Sequence, residues 1–151
     1  MKCKLLGMIV VIFSILVCQA VYADDSRDSV CPKHAQQRTV VQVLQAHLAA
    51  VEAGNAELLA CDYAKDAVFI LPGAVAQGPA EIEAAFAPFF ALAGGNIHVT
   101  TTSLTIAGDF TLFEYSVTSD HVVVTDGVDS FVIDKGLIIA HTAHLGGFSV
   151  K

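Results

Sequence analysis

Two ionisable side chains stand among apolar neighbours near the C-terminal end of the chain. If residues 128–133 form a strand, period-two alternation puts Asp129 on one face with Phe131 and Ile133. The same parity over residues 137–145 puts His141 on a face with Ile139, Ala143 and Leu145. A polar group buried without a partner costs roughly 1–3 kcal/mol or more, so such groups should be paired or functional. An unperturbed histidine titrates near neutrality and can act as a general acid or base. A carboxyl in an apolar pocket can retain its proton and donate a hydrogen bond. Asp129 and His141 are therefore the candidate catalytic pair; the plainer alternative is a buried pair that only fixes strand register. Glu114 is ambiguous: it shares parity with Phe110 and Leu112, and either that face or the face of Phe113, Tyr115 and Val117 could turn inward.

Other chemistries find little support. His141 and His144 are three apart, a spacing that aligns ligands on a helix but sends them to opposite faces of a strand. His34, His98 and His121 have no ligand-like spacing, so no metal site is expected. There is no phosphate loop, nucleophile elbow or zinc motif, and no cofactor is expected. Eight Lys and Arg against fifteen Asp and Glu, a net charge of −7, argue against nucleic acid as a partner.

The elements that would position these residues can be read along the 151-residue chain, whose length suits one domain. Apolar residues from 34 to 53, including His47, recur at helical spacing. Gly54 stops that helix and Asn55 can cap a short second one over 56–64, followed by a strand over 67–71. Gly78 and Pro79 open a third helix, with Ile82, Ala85, Phe86, Phe89 and Phe90 as its apolar face. Gly94 and Gly95 end it. The remainder reads as β: 97–107, 110–118, 122–125, 128–133 and 137–145, with a register slip expected near residues 102–104. Helices followed by long antiparallel strands make an α+β fold in which a curved sheet wraps three N-terminal helices.

The first 23 residues read as a cleavable signal peptide, with Lys2 and Lys4 before an apolar run and small residues ahead of Asp24. Positive mean hydropathy (+0.62) owes much to this segment. Residues 24–34 read as a flexible arm and 35–151 as the domain. The expected location is the periplasm or the exterior, with no membrane span once the leader is removed. Cys31 and Cys61 remain after cleavage and are expected to form one disulfide, worth roughly 3–4 kcal/mol on the chain-entropy account.

Several segments carry a family resemblance. They are the helix ending at Ala53-Gly54-Asn55, residues 63–69 (Tyr-Ala-Lys-Asp-Ala-Val-Phe), Gly78-Pro79-x-Glu81-Ile82, residues 126–131, and residues 134–141. In this order they resemble the NTF2-like superfamily, which includes nuclear transport factor 2, ketosteroid isomerase and SnoaL-like polyketide cyclases. The resemblance implies a cone-shaped α+β (cystatin-like) fold, often dimeric, with a mostly apolar pocket. It puts Asp129 where ketosteroid isomerase has its protonated oxyanion-hole aspartic acid, an enzyme that is itself the standard illustration of such a group. It puts His47 at that enzyme's oxyanion-hole tyrosine, and His141 at an inward histidine of many SnoaL-like proteins. The catalytic base falls at Leu71, which cannot abstract a proton.

The expected function is an exported domain that binds a small, largely apolar molecule, with His47, Tyr63, Phe69, Leu71, Phe86, Phe90, Glu114 and Phe131 lining the pocket. The alternatives are a lyase, isomerase or cyclase using His141 and Asp129, and a homodimeric interaction module whose outer sheet face carries Thr100, Thr102, Tyr115, Val117 and residues 122–124.

Overall fold

A computed structural model describes residues 30–33 and 35–151. The leader and most of the arm lie outside the described residues. From Pro32 onward the chain forms a single compact unit.

The first helix begins later than its periodicity suggests. Residues 35–37 make one 3-10 turn, and α1 runs from Val40 to Glu52. Thr39 sets the start through a capping box: its side chain accepts from the Gln42 amide, and the Gln42 side chain accepts from the Thr39 amide. α1 buries Val43, Leu44, His47 and Ala50. Asn55 caps α2, which is one short stretch, Ala56–Ala60. The strand β1 then starts at Tyr63, four residues before expectation, and continues to Leu71. The cause is Asp62 just ahead of it, whose carboxylate is held by Arg38 and whose carbonyl accepts from the Ile138 amide. These bonds extend the chain where helix would otherwise continue. β2 (Ala74–Gln77) hairpins back, and α3 (Gly78–Ala93) follows with proline in its first turn.

The strands β3 (His98–Ala107), β4 (Phe110–Thr118), β5 (Val122–Asp134), β6 (Leu137–Gly146) and β7 (Ser149–Val150) complete the sheet. The order is β2-β1-β6-β5-β4-β3, with β7 on β5; β1 and β6 run parallel and the other pairs antiparallel. The fold is the expected α+β cone, three helices on a curved sheet.

Three irregularities set which residues face inward. The register slips between Thr101 and Ser103, at the site foreseen. Residues 122–125 and 128–133, read as separate strands, are one 13-residue strand. Thr125 and Asp126 both face out there, because Tyr115 pairs Gly127 while Val117 pairs Val124, leaving an extra residue on β5. A bulge on β6 sets Ile138 opposite Ile133 and Ala140 opposite Val132, so Ile139 is the extra residue. It points outward, 39% exposed, and does not share the face of His141 as strict alternation would have it.

Candidate functional site

The inner face of the sheet carries the row Phe69, His141, Phe131 and Thr111, each directly across from the next. The adjacent row carries Ala143, Asp129 and Phe113. α1 and α3 cover both rows. Between helices and sheet lies a partly enclosed cavity of about 100 Å³. His47, Leu48 and Val51 of α1, Phe86 and Phe89 of α3, and Phe69, Leu71, Phe113, Tyr115, Asp129 and Phe131 of the sheet are among the residues on its wall. His47, Leu48, Phe113 and Phe131 also bound a second cleft of about 140 Å³, between α1 and β3.

A buried polar chain runs through this core. The Tyr115 hydroxyl donates to Asp129 Oδ1 at 3.0 Å. Asp129 Oδ2 lies 3.1 Å from His141 Nε2. That oxygen sits off the N–H direction, so the contact is electrostatic more than a straight hydrogen bond. His141 Nδ1 is 2.6 Å from the Tyr63 hydroxyl. Burial, and then the charges of Asp129 and Asp62, push the Tyr63 phenol well above its ordinary range. Burial and Asp129 do the same to Tyr115. Both phenols therefore retain their protons and act as donors. With Tyr63 as donor to Nδ1, a ring proton of His141 falls on Nε2, facing Asp129. This arrangement gives every hydroxyl an acceptor.

His47 occupies the next position inward. Its ring meets those of Tyr63, Phe86, Phe131 and His141 edge-on, with centroids 5.3–6.1 Å apart. Its Nδ1 has no hydrogen-bond partner among the described residues; Asp62 Oδ2 is 4.0 Å away, beyond hydrogen-bond reach. Burial, followed by His141, holds the His47 pKa well below its ordinary value. Asp62 is raised by burial, an effect its Arg38 partner opposes. Arg38 Nη1 contacts Asp62 Oδ1 at 2.5 Å and is tied by further bonds to Ala35 O and Gly136 O, each 3.0 Å.

Of the expected pocket residues, His47, Phe69, Leu71, Phe86 and Phe131 stand on the wall with Asp129. His141 and Tyr63 do not: both are buried behind it, with His141 stacked between Phe131 (4.2 Å) and Phe69 (4.5 Å). Phe90 is not on the wall, which takes Phe89 instead, one position along the helix. Glu114 faces away from the cavity, because Phe113, Tyr115 and Val117 are the buried face of β4. For the same reason Tyr115, Val117, Val122 and Val124 do not form an outer interface; each is buried. Cys31 and Cys61 are both disulfide-bonded. Among the described residues, no three His, Cys, Asp or Glu side chains are grouped to hold a metal ion.

Tyr115, Asp62 and Arg38 are the site residues that sequence reasoning missed. A signal existed for Tyr115, which shares parity with Phe113 and Val117. For Asp62 the signal was an acid set between Cys61 and Tyr63 at the start of a strand.

A SnoaL-like domain profile matches residues 44–141. No functionally curated protein sequence matches. Many solved structures share the fold. An NTF2-like protein of unknown function from Burkholderia xenovorans LB400 is 19% identical with a TM-score of 0.60, over 71% of this chain and 82% of that one. A protein with a ketosteroid isomerase-like fold from Catenulispora acidiphila DSM 44928, in complex with trimethylamine, is 18% identical with a TM-score of 0.59, over 70% and 86%. A candidate polyketide cyclase from Sinorhizobium meliloti is 21% identical with a TM-score of 0.58, over 68% and 93%. At these identities the structures speak for the fold alone. The profile covers well over half of the chain and ends at the histidine behind the cavity wall, so the protein belongs to the SnoaL-like domain family, and its fold is NTF2-like.

Proposed function

We propose that this domain binds a small, largely apolar molecule in the cavity between α1, α3 and the sheet, with Asp129 and Tyr115 orienting its polar end. The observation that carries this reading is one carboxylate on an otherwise mostly apolar, aromatic-rich wall. Ligand sites commonly combine such a wall with few polar groups. An engineered apolar cavity of about 150 Å³ binds benzene, so ~100 Å³ suits a ligand of about four or five heavy atoms. Leu71 on the wall supplies no base, which favours binding over proton abstraction. Titration of the protein with tert-butanol, followed by NMR, tests it. Saturable shifts at Phe69, Phe113 and Phe131 are expected, and Ala143→Leu, which fills the cavity, should abolish them. No saturable shift at these residues would overturn the reading.

A lyase, isomerase or cyclase is the second reading, and the backing of Asp129 by His141 favours it. Here Asp129 alone touches substrate, while His141 and Tyr63 act as positioning residues. Deuterium exchange from D2O into cyclopentanone, accelerated by the protein and lost in Asp129→Asn, would support it.

Two wider properties belong to the same proposal. Export is supported by the oxidised state of Cys31 and Cys61. A homodimer is supported by the outer sheet face, where Ile70, Phe110 and Leu112 are each 40% exposed or more. Mass measurement of the mature N-terminus checks the first.

A further inference from the structure

The charge of the cavity says more about its ligand than its shape does. Six aromatic rings reach the wall: Phe69, Phe86, Phe89, Phe113, Tyr115 and Phe131. Among the described residues, Asp129 is the one carboxylate there, and no lysine or arginine lines the space. The two polar neighbours of Asp129 are the Tyr115 hydroxyl, which donates to it, and His141 Nε2, 3.1 Å away without hydrogen-bond geometry. Arg38 is committed to Asp62, Ala35 and Gly136. The histidine on the wall, His47, is kept neutral by its burial. Among the described residues Asp129 thus has one hydrogen bond, from the Tyr115 hydroxyl, and no lysine or arginine against it on the wall. Aromatic faces attract cations through their quadrupoles and repel anions. A chain with fifteen acids and eight basic residues adds a field of the same sign.

Resting on the binding reading above, we propose that the ligand is a small organic ammonium: its alkyl body lies among the rings and its N–H group donates to Asp129. A neutral alcohol of the same shape would use the same hydrophobic space without the ion pair or the cation–π contacts. A carboxylate would face Asp129 with like charge.

The test compares tert-butylammonium, tert-butanol and pivalate by NMR titration of the folded protein at neutral pH. Tert-butylammonium should bind about tenfold or more tighter than tert-butanol, and pivalate more weakly than either. Asp129→Asn should reduce the preference for tert-butylammonium over tert-butanol to about twofold or less. Phe89→Leu, at a half-buried position, is the second variant if the first does not fold; it should weaken tert-butylammonium more than tert-butanol. If tert-butanol or pivalate binds as well as the ammonium, or if the preference survives both substitutions, the ammonium assignment fails and the binding reading stands. If no probe binds, both fail.

Discussion

His47 shows how much one residue can load onto a small core. It is 2% exposed, its Nδ1 lacks a partner among the described residues, and aromatic rings and His141 surround it. The groups facing it are His141 and Tyr63 from the sheet and Asp62, with Arg38 behind. Its pKa in the folded state is lowered, so below its ordinary value of 6.5 the unfolded chain binds a proton that the folded chain refuses. Stability therefore falls as the pH drops through 6.5, and is fully present above it. Between pH 7.5 and 5.5 stability should fall by roughly 1 kcal/mol by urea unfolding, and His47→Leu should flatten that slope. An unchanged slope in the variant would mean that another group carries it. At this scale the sequence was partly legible. Asp129 and His141 were found because polar residues stood on apolar faces, and both are buried. What parity could not tell was depth: His141 and Asp129 share the inner face, yet only Asp129 reaches the cavity, because Phe69 and Phe131 close over the histidine ring.

At the scale of the element, β-bulges decide the site. The segment Thr125-Asp126-Gly127 has the composition of a turn and is a bulge inside one strand. Two outward residues in succession reset the alternation so that Gly127 and Asp129 both face inward. Gly127 is needed there because the Tyr115 ring crosses it: a Cβ at 127 would sit 2.5 Å from Tyr115 Cε2. That close passage brings the Tyr115 hydroxyl to Asp129. Gly127→Ala should therefore push Tyr115 off Asp129 and cost about 1–3 kcal/mol. In a Tyr115→Leu background the same change should cost at least about 1 kcal/mol less, a coupling readable from a double-mutant cycle by denaturant unfolding. Additive costs would show that the glycine serves the backbone alone. Such bulges are hard to read from alternation, since one extra residue mimics either a turn or a change of face. The slip near Thr102 was visible because β3 lacks other turn residues there. The bulge at Ile139 was hidden within a run of apolar residues.

At the scale of the whole molecule, strand order was the least legible feature in periodicity. The parallel pairing of β1 with β6 joins segments about 70 residues apart, and no local pattern encodes it. It entered only through the family resemblance, whose order of motifs implied the cone. The pairing has a consequence on the outer face, where Ile70, Thr142, Ser130 and Leu112 form a row directly across four strands. Ser130 and Thr142 share a hydrogen bond of 2.6 Å at its centre, with Ile70 and Leu112 at the ends. Phe110 and the half-buried Val128 and Val132 extend the apolar surface around it. A second copy of the chain suits this row, because a two-fold axis across it would set hydroxyls on hydroxyls and aliphatic ends on aliphatic ends. Light scattering coupled to size exclusion should then give twice the mass of the mature chain at micromolar concentration. Leu112→Lys combined with Ile70→Lys should give the monomer, with the tert-butanol site intact, because neither lysine faces the cavity. A monomeric wild type would show that this face stays exposed. Loss of the cavity site in the double variant would instead mean that the face supports the fold from outside.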